Sequence, residues 1–415
     1  MKNKGLIIAV LMASITFLSV RVYHLENEKR IIKEDLIELS KVKYGLFNVD
    51  EWKAILGAVI SKKIDEFNFN GANRPEAERK IAVFLHSAIN DFESSFRAEN
   101  SRKTLGFLNN MGASMFGVFD KIRAQIPSIT EKILSFLDDP RNRKAIKGFV
   151  IQKLNEYTDQ TFSDVDYSMR DAIVAKYKLT DRETAIKHLE ATLVQLDEKV
   201  YPFKVTLFLL ALAVGVFILV SRRLSKSEFL YLTVICFILL LSGLMLPMIE
   251  IDARISEMSF KLLGEDVIFK DQVLYYKSKS IIEVVTLMIR QSRIDLLFVG
   301  LLVFTFSVLF PVAKLVASVI HIYSKRMQGN KFIRFMIFRT GKWSMADVMV
   351  IAIFMAYIGF SGIITEQLKQ LESITQNLDI LTTNRSSLLT GFFTFTAFAI
   401  LSLLTSHKLQ YQESK

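Results

Sequence analysis

Residues 296–320 read LLFVGLLVFTFSVLFPVAKLVASVI, and residues 341–364 read GKWSMADVMVIAIFMAYIGFSGII. Each stretch is long enough to cross a bilayer, which takes about 20 apolar residues. The first holds Lys314 shortly after Phe310 and Pro311, and the second holds Asp347 shortly after Lys342. A charge at the centre of a membrane helix costs at least about 2.5–3.5 kcal/mol, so it usually faces a partner or a cavity. The two segments therefore decide the class, an integral membrane protein. They also direct the search for function to Lys314 and Asp347.

Four more apolar segments lie outward from this pair, at about 5–22, 203–221, 229–248 and 388–406. With the spans at 296–321 and 345–365 they make six. The net charge of +11 is unevenly placed. Residues 24–200 hold 28 Lys+Arg and 28 Asp+Glu, and residues 250–294 hold seven of each. The excess sits in Lys2 and Lys4, in Arg222, Arg223 and Lys226, and in Lys325, Arg326, Lys331, Arg334, Arg339 and Lys342. Those are short segments beside apolar spans, where basic residues mark the cytoplasmic side and meet anionic lipid heads. Cytoplasmic N- and C-termini put 24–202, 249–295 and 366–387 outside and both basic loops inside. No basic, aromatic-interleaved soluble face appears, so nucleic acid is not an expected partner.

The expected fold is a mainly α integral membrane protein with six transmembrane helices. Residues 1–23 read as an uncleaved anchor, since no small-residue cleavage site follows the first apolar run, with a cleaved signal peptide as the alternative. Residues 24–201 form a periplasmic, all-helical soluble domain. Helical spacing recurs in Ile31, Ile32, Leu36 and Leu39, and Thr180-Asp181-Arg182-Glu183 reads as a capping box. The helix it opens approaches the membrane and is interrupted at Pro202. Residues 105–119, rich in Phe, Met and Gly, suit a core helix or a hairpin dipping into the membrane surface. A single span follows at 202–222, then a four-helix membrane module at 228–408, with 409–415 as a cytoplasmic tail. Its insert at 249–294 alternates like strands around Ile249–Arg254, Val267–Phe269 and Val273–Tyr276, predicting a small extracytoplasmic β element. Ser280 is expected to start a short helix through Ile289.

From about 228 to 408 the pattern resembles the paraquat-inducible protein A family of bacterial inner-membrane proteins. The matching residues are Leu244-Met245-Leu246-Pro247, Phe310-Pro311-Val312-Ala313-Lys314-Leu315 and, most specifically, Gly341-Lys342-Trp343-Ser344-Met345-Ala346-Asp347-Val348. Gly391 and the final span through Ser402 fit less specifically. The resemblance implies an inner-membrane module that loads or receives phospholipid for a periplasmic mammalian cell entry (MCE) protein, a class that forms lipid tunnels between membranes. Many relatives carry two modules and Cys-rich zinc segments, whereas this chain has one module and the lone Cys236. Residues 1–220 inherit nothing from the family.

Lys314 either snorkels toward the headgroups or faces the bundle interior, pairing with Asp347 or holding a lipid phosphate. A balanced pair of this kind would exchange a proton. Pro247 and Pro311 either kink their helices or border a lipid-sized cavity. Trp343, Lys342 and Arg339 read as interfacial belt and anchor residues, with Gly341 and Pro247 structural at the interface. Ser344 reads as the N-cap of the fifth span and, with Lys314, Asp347 and Pro311, as a lipid-binding or proton-coupling candidate. The five histidines lack paired metal spacing, and no nucleophile elbow, Walker A or dinucleotide fingerprint occurs. The expectation is thus a non-enzymatic component of intermembrane phospholipid transport without cofactor or metal. The alternative is a membrane sensor whose external helical domain detects a signal.

Overall fold

The computed structural model describes residues 2–41, 123–134, 167–262, 265–291, 294–324, 330–335, 346–373 and 379–413, with isolated positions and short pieces elsewhere between 44 and 152 and at 337. The stretch 105–119 lies outside them.

Two very long helices set the frame: α1 (Lys2–Leu39) and, after the short α2 (Ser168–Lys176), α3 (Arg182–Val220). At 1.5 Å per residue each reaches roughly 57 Å, nearly twice the hydrocarbon thickness of a bilayer. They run antiparallel, because their contacts descend one chain as they climb the other. Arg182 Nε donates to the Leu39 carbonyl at 2.8 Å, Lys29 pairs with Asp197, and Lys204 pairs with Glu26 at 2.5 Å. Ile8, Ile15, Leu18 and Val22 share a core with Leu207, Ala211, Val214 and Ile218. A second core joins Leu25, Ile32, Leu36 and Leu39 to Ile173, Ala185, Leu189, Leu196 and Val200. The same helix pair thus packs both at membrane depth and beyond it, and boundaries at 23/24 and 201/202 fall inside continuous helices.

Two local expectations need correction. The helix does not break at Pro202, which lies inside α3. The missing N–H removes one backbone hydrogen bond, while Leu196 and Val200 on one side and Leu207 on the other stay buried. The N-cap of α3 is Asp181 rather than Thr180, its carboxylate accepting from Thr184 N at 2.8 Å. These bonds to Thr184 hold the Asp181 carboxyl below its ordinary range.

Helix α4 (Lys226–Met245) opens with a reciprocal capping box between Ser225 and Glu228. The insert is one long antiparallel hairpin, β1 (Ile249–Leu262) and β2 (Glu265–Lys279), registered from Ile249 opposite Lys279 to Leu262 opposite Glu265. Two distant strands complete the sheet. β3 (Asp379–Asn384) pairs along the other side of β1, and β4 (Ser387–Leu388) pairs with its start. The end of α1 meets β2, where Val273 N donates to the Ser40 carbonyl at 2.9 Å. Helix α5 (Ile281–Arg290) is capped by Ser280 and Glu283.

The chain then enters α6 (Ile294–Phe304), a π-helical turn (Thr305–Leu309) and α7 (Phe310–Tyr323). Helices α8 (Ala346–Ser373) and α9 (Thr390–Glu413) follow. Among the described residues, five helical stretches are long and apolar enough to cross a membrane: those of α1, α3, α4, α6–α7 and α9. In α8 the apolar part is the shorter Val350–Glu366.

Helices α4 and α9 cross closely because two glycines permit it. A Cβ on Gly243 would lie 2.8 Å from the Phe395 backbone, and one on Gly391 would lie 2.3 Å from the Leu246 carbonyl oxygen. Gly391 N also donates to the Pro247 carbonyl at 3.0 Å. Pro247 therefore stands just past the end of α4 and helps fix α9. It does not interrupt the span.

Candidate functional site

The sequence of α6 and α7 places its polar residues on one stripe. Ser307, Lys314, Ser318 and His321 follow one another at intervals of seven, four and three, the spacing of a single helix face. All four are buried, Lys314 and His321 each to 2% exposure. Nine residues separate Lys314 from the α7 end at Tyr323, roughly 13 Å along the axis and near the middle of a bilayer core. An ammonium there needs acceptors.

The acceptors come from α9. Lys314 Nζ donates to Ser402 Oγ at 3.0 Å and approaches the Ser402 carbonyl at 3.5 Å. Buried Cys236 of α4 lies in the field of the Lys314 charge. Ser318 and Thr405 turn their hydroxyls onto carbonyls of their own helices, those of Lys314 and Leu401. Ser307 is fully buried, and its hydroxyl has no hydrogen-bond partner among the described residues.

Backbone chemistry contributes one more feature. Phe310 N bonds to the Thr305 carbonyl five residues back, so the helix is locally widened and underwound by one extra residue just before Pro311. Pro311 has no N–H to offer the Ser307 carbonyl, which removes an ordinary α-helical bond at that place. Such single π-turns often mark functional positions in helices. Pro311 itself is buried at the start of α7, in line with Ser307 and Lys314.

The structure brings Lys314 together with Ser402, a residue the sequence reading placed only at the end of the last span. Asp347 lies in the first turn of α8, with its side chain outside what is described. Gly341, Lys342, Trp343 and Ser344 lie outside the described residues. Among the described contacts, Lys314 donates to Ser402. Sequence reasoning also missed His321 and Ser307. Their seven-residue offsets from Lys314 were the available signal.

A second polar system frames the first from beyond the membrane. The outer half of α1 binds several described elements in turn. Arg30 pairs with Glu283 of α5 at 2.5 Å, Lys33 pairs with Glu250 of β1, and Asp35 accepts from Lys176 at 2.5 Å and Tyr177 at 2.7 Å. Glu26 accepts from Thr390 at the start of α9, 2.8 Å away. Within β1, Arg254 grips buried Asp252 with both ends of its guanidinium, at 2.7 and 2.9 Å. Burial works against the Arg254 charge, but the Asp252 hydrogen bonds and the charges of Asp252, Asp271 and Glu250 outweigh it and raise its pKa. Burial and Glu250 raise that of Tyr276, which donates to Glu250 at 3.2 Å. Asn384 at the end of β3 ties the sheet to α8 by donating to Ser361 and Thr365, at 3.0–3.1 Å. Among the described residues no cluster of three His, Cys, Asp or Glu has the arrangement to hold a metal.

A helical bundle with several apolar spans, a buried charged stripe at membrane depth and a small sheet over one end defines a multi-pass α-helical membrane protein. The sequence model of the paraquat-inducible protein A family matches residues 270–369. The match takes in most of β2, all of α5, α6 and α7, and most of α8, and therefore includes Lys314. Helices α1–α4 and α9, with Ser402, lie outside it. No curated protein and no solved structure matches the chain.

Proposed function

We propose that the protein is an inner-membrane component of an intermembrane phospholipid transport system, which loads or receives lipid for a periplasmic MCE-type partner. The observation that carries this reading is the buried stripe from Ser307 through Lys314 to His321, inside the span that matches the family. An ammonium near the bilayer middle, held by hydroxyls rather than by packing alone, is a ready counter-charge for a phosphate passing between the helices. The π-turn ahead of Pro311 lets that wall of the bundle adjust by small helix shifts. Six spans, counting α8, with both termini in the cytoplasm agree with the basic residues beside the ends of α3, α4 and α7.

The test is photocrosslinking from α7 positions flanking Lys314 in native membranes, followed by lipid analysis of the purified protein. Phospholipid adducts that disappear in Lys314→Ala support the reading. Lys314→Ala and Asp347→Ala proteins that are produced and complement a transport defect normally would refute it. A sensor is the second reading, favoured by α1 and α3, which run unbroken from membrane depth into an external layer. A neighbouring gene for a kinase or regulator, in place of one for an MCE protein, would support that reading.

A further inference from the structure

A separate cleft of about 1030 Å³ opens where α3 ends and α9 nears its own end. Its polar side carries Arg222, Arg223, His407 and Lys408. Its apolar side is formed by Leu219, Val220, Leu404 and the ring of Tyr411. No acidic residue lines it. Arg222, Arg223 and His407 are exposed, and none of the three makes an ion pair or hydrogen bond among the described residues. Leu219 and Val220, at 65% and 75% exposure, continue this wall along the outer face of the last turn of α3, where acyl chains would lie.

Two arginines, a lysine and an imidazole around one hollow form a donor set for a multiply charged oxyanion. Arginine matches phosphate oxygens with paired N–H groups, and lysine adds a point charge. The apolar wall beside the donors, with a tyrosine at the rim, is the surrounding an amphiphile needs. We propose that this cleft binds a phosphate group, borne by an anionic phospholipid of the adjoining leaflet or free in solution. The site lies at the bundle end, about one to two turns of α9 beyond Ser402, and is independent of the Lys314 reading.

The experiment uses the full-length protein in nanodiscs, with phosphatidylglycerol diluted into phosphatidylcholine. Retained lipid is counted by native mass spectrometry, with and without added inorganic phosphate. Wild type is expected to keep bound phosphatidylglycerol in preference to phosphatidylcholine. Lys408→Gln should weaken retention roughly fivefold, and Arg222→Gln/Arg223→Gln/Lys408→Gln about a hundredfold, on the order of one surface charge each. Lys226→Gln/Lys331→Gln, which removes two cations that do not line the cleft, should leave retention within about twofold of wild type. Because changing Arg222 and Arg223 alters the charge that orients the spans, the single Lys408→Gln protein carries the test if the triple variant fails to assemble. Retention that inorganic phosphate does not displace assigns the site to lipid, and displacement assigns it to the free ion. Equal retention by wild type and Lys408→Gln, or an equal loss in the Lys226/Lys331 control, overturns the proposal and leaves only diffuse attraction to the basic end.

Discussion

Replacing Gly391 with alanine tests how the last helix is held against the rest of the bundle. The added Cβ would sit 2.3 Å from the Leu246 carbonyl oxygen, 2.6 Å from that of Pro247 and 2.9 Å from the Leu246 carbonyl carbon. Ordinary contact starts near 3.4 Å, so the start of α9 must retreat by about 3.4 − 2.3 = 1.1 Å. All the opposing atoms are backbone, so no side chain can yield. Overpacking of this kind costs about 1–3 kcal/mol. The retreat also stretches the bond from Gly391 N to the Pro247 carbonyl, worth about 1 kcal/mol. The expected loss is about 2–4 kcal/mol, a large share of a typical stability. Ser402 stands eleven residues further along α9, roughly 16 Å along the same rod. A 1 Å displacement carried down it would break the 3.0 Å contact with Lys314. The assay is thermal unfolding of the detergent-solubilised protein beside Gly359→Ala, where an added Cβ meets nothing within 4 Å. Gly359→Ala should be neutral or slightly stabilising, because alanine favours the helix. If the two variants melt together, α9 is not seated on the Leu246–Pro247 backbone and this account of the α4–α9 crossing fails.

Lys314→Met should leave thermal stability unchanged or raise it, since it removes a buried charge and keeps the volume, yet abolish complementation in cells. A protein that instead unfolds would make Lys314 a structural residue. Ser402→Ala should lower stability by about 0.5–1.5 kcal/mol, the range for hydrogen bonds between membrane helices, and a double-mutant cycle with Lys314→Met should show coupling of that size. At Glu283, burial pushes the carboxyl up, but the Ser280 backbone bond and Arg30 outweigh it and hold its pKa below the ordinary carboxylate range. A lowered folded-state pKa means this stabilisation is complete above the ordinary carboxylate range and fades as pH falls through it, so Glu283→Gln should flatten the acid limb of a melting-temperature profile. Lys33→Met leaves Glu250, whose side chain is 6% exposed, with only Tyr276 as a described donor. The expected loss is about 1–3 kcal/mol in thermal unfolding, partly recovered by adding Glu250→Gln.

The parts of this architecture readable in the sequence are those set by local chemistry. Ser280 ahead of Ile281-Ile282-Glu283 forms a capping box from four consecutive residues, and alternation in 249–276 yields strands. The apolar runs yield spans because hydropathy acts over about 20 neighbouring residues. The features that escaped depend on distant parts of the chain. Strand β3 forms because β1 offers a second edge some 120 residues earlier in sequence, at Ala253 opposite Asn384 and Ser259 opposite Asp379. Nothing in Asp379–Asn384 itself separates it from a loop. The Ser402 hydroxyl was unremarkable until α9 was laid against α7. The Pro202 expectation failed through weighting, because a proline rule of about 3 kcal/mol describes an isolated helix interior. Here cores on both sides of the proline keep α3 continuous.

The continuity of α1 and α3 couples the two polar systems. Because α1 and α3 do not hinge at the membrane surface, a displacement of the outer layer is transmitted along rods rather than absorbed at a joint. Glu26 of α1 touches both Lys204 of α3 and Thr390, the first residue of α9. From Thr390 the same helix descends to Ser402 and its contact with Lys314. The outer half of α1, through Glu26, is thereby connected by continuous helix to the buried ammonium. Glu26→Gln is expected to weaken the pair with Lys204 while leaving the core residues of α1 untouched. If crosslinking from the Lys314 region is then unchanged in yield and position, the outer layer and the membrane stripe act independently, and the rod argument is wrong.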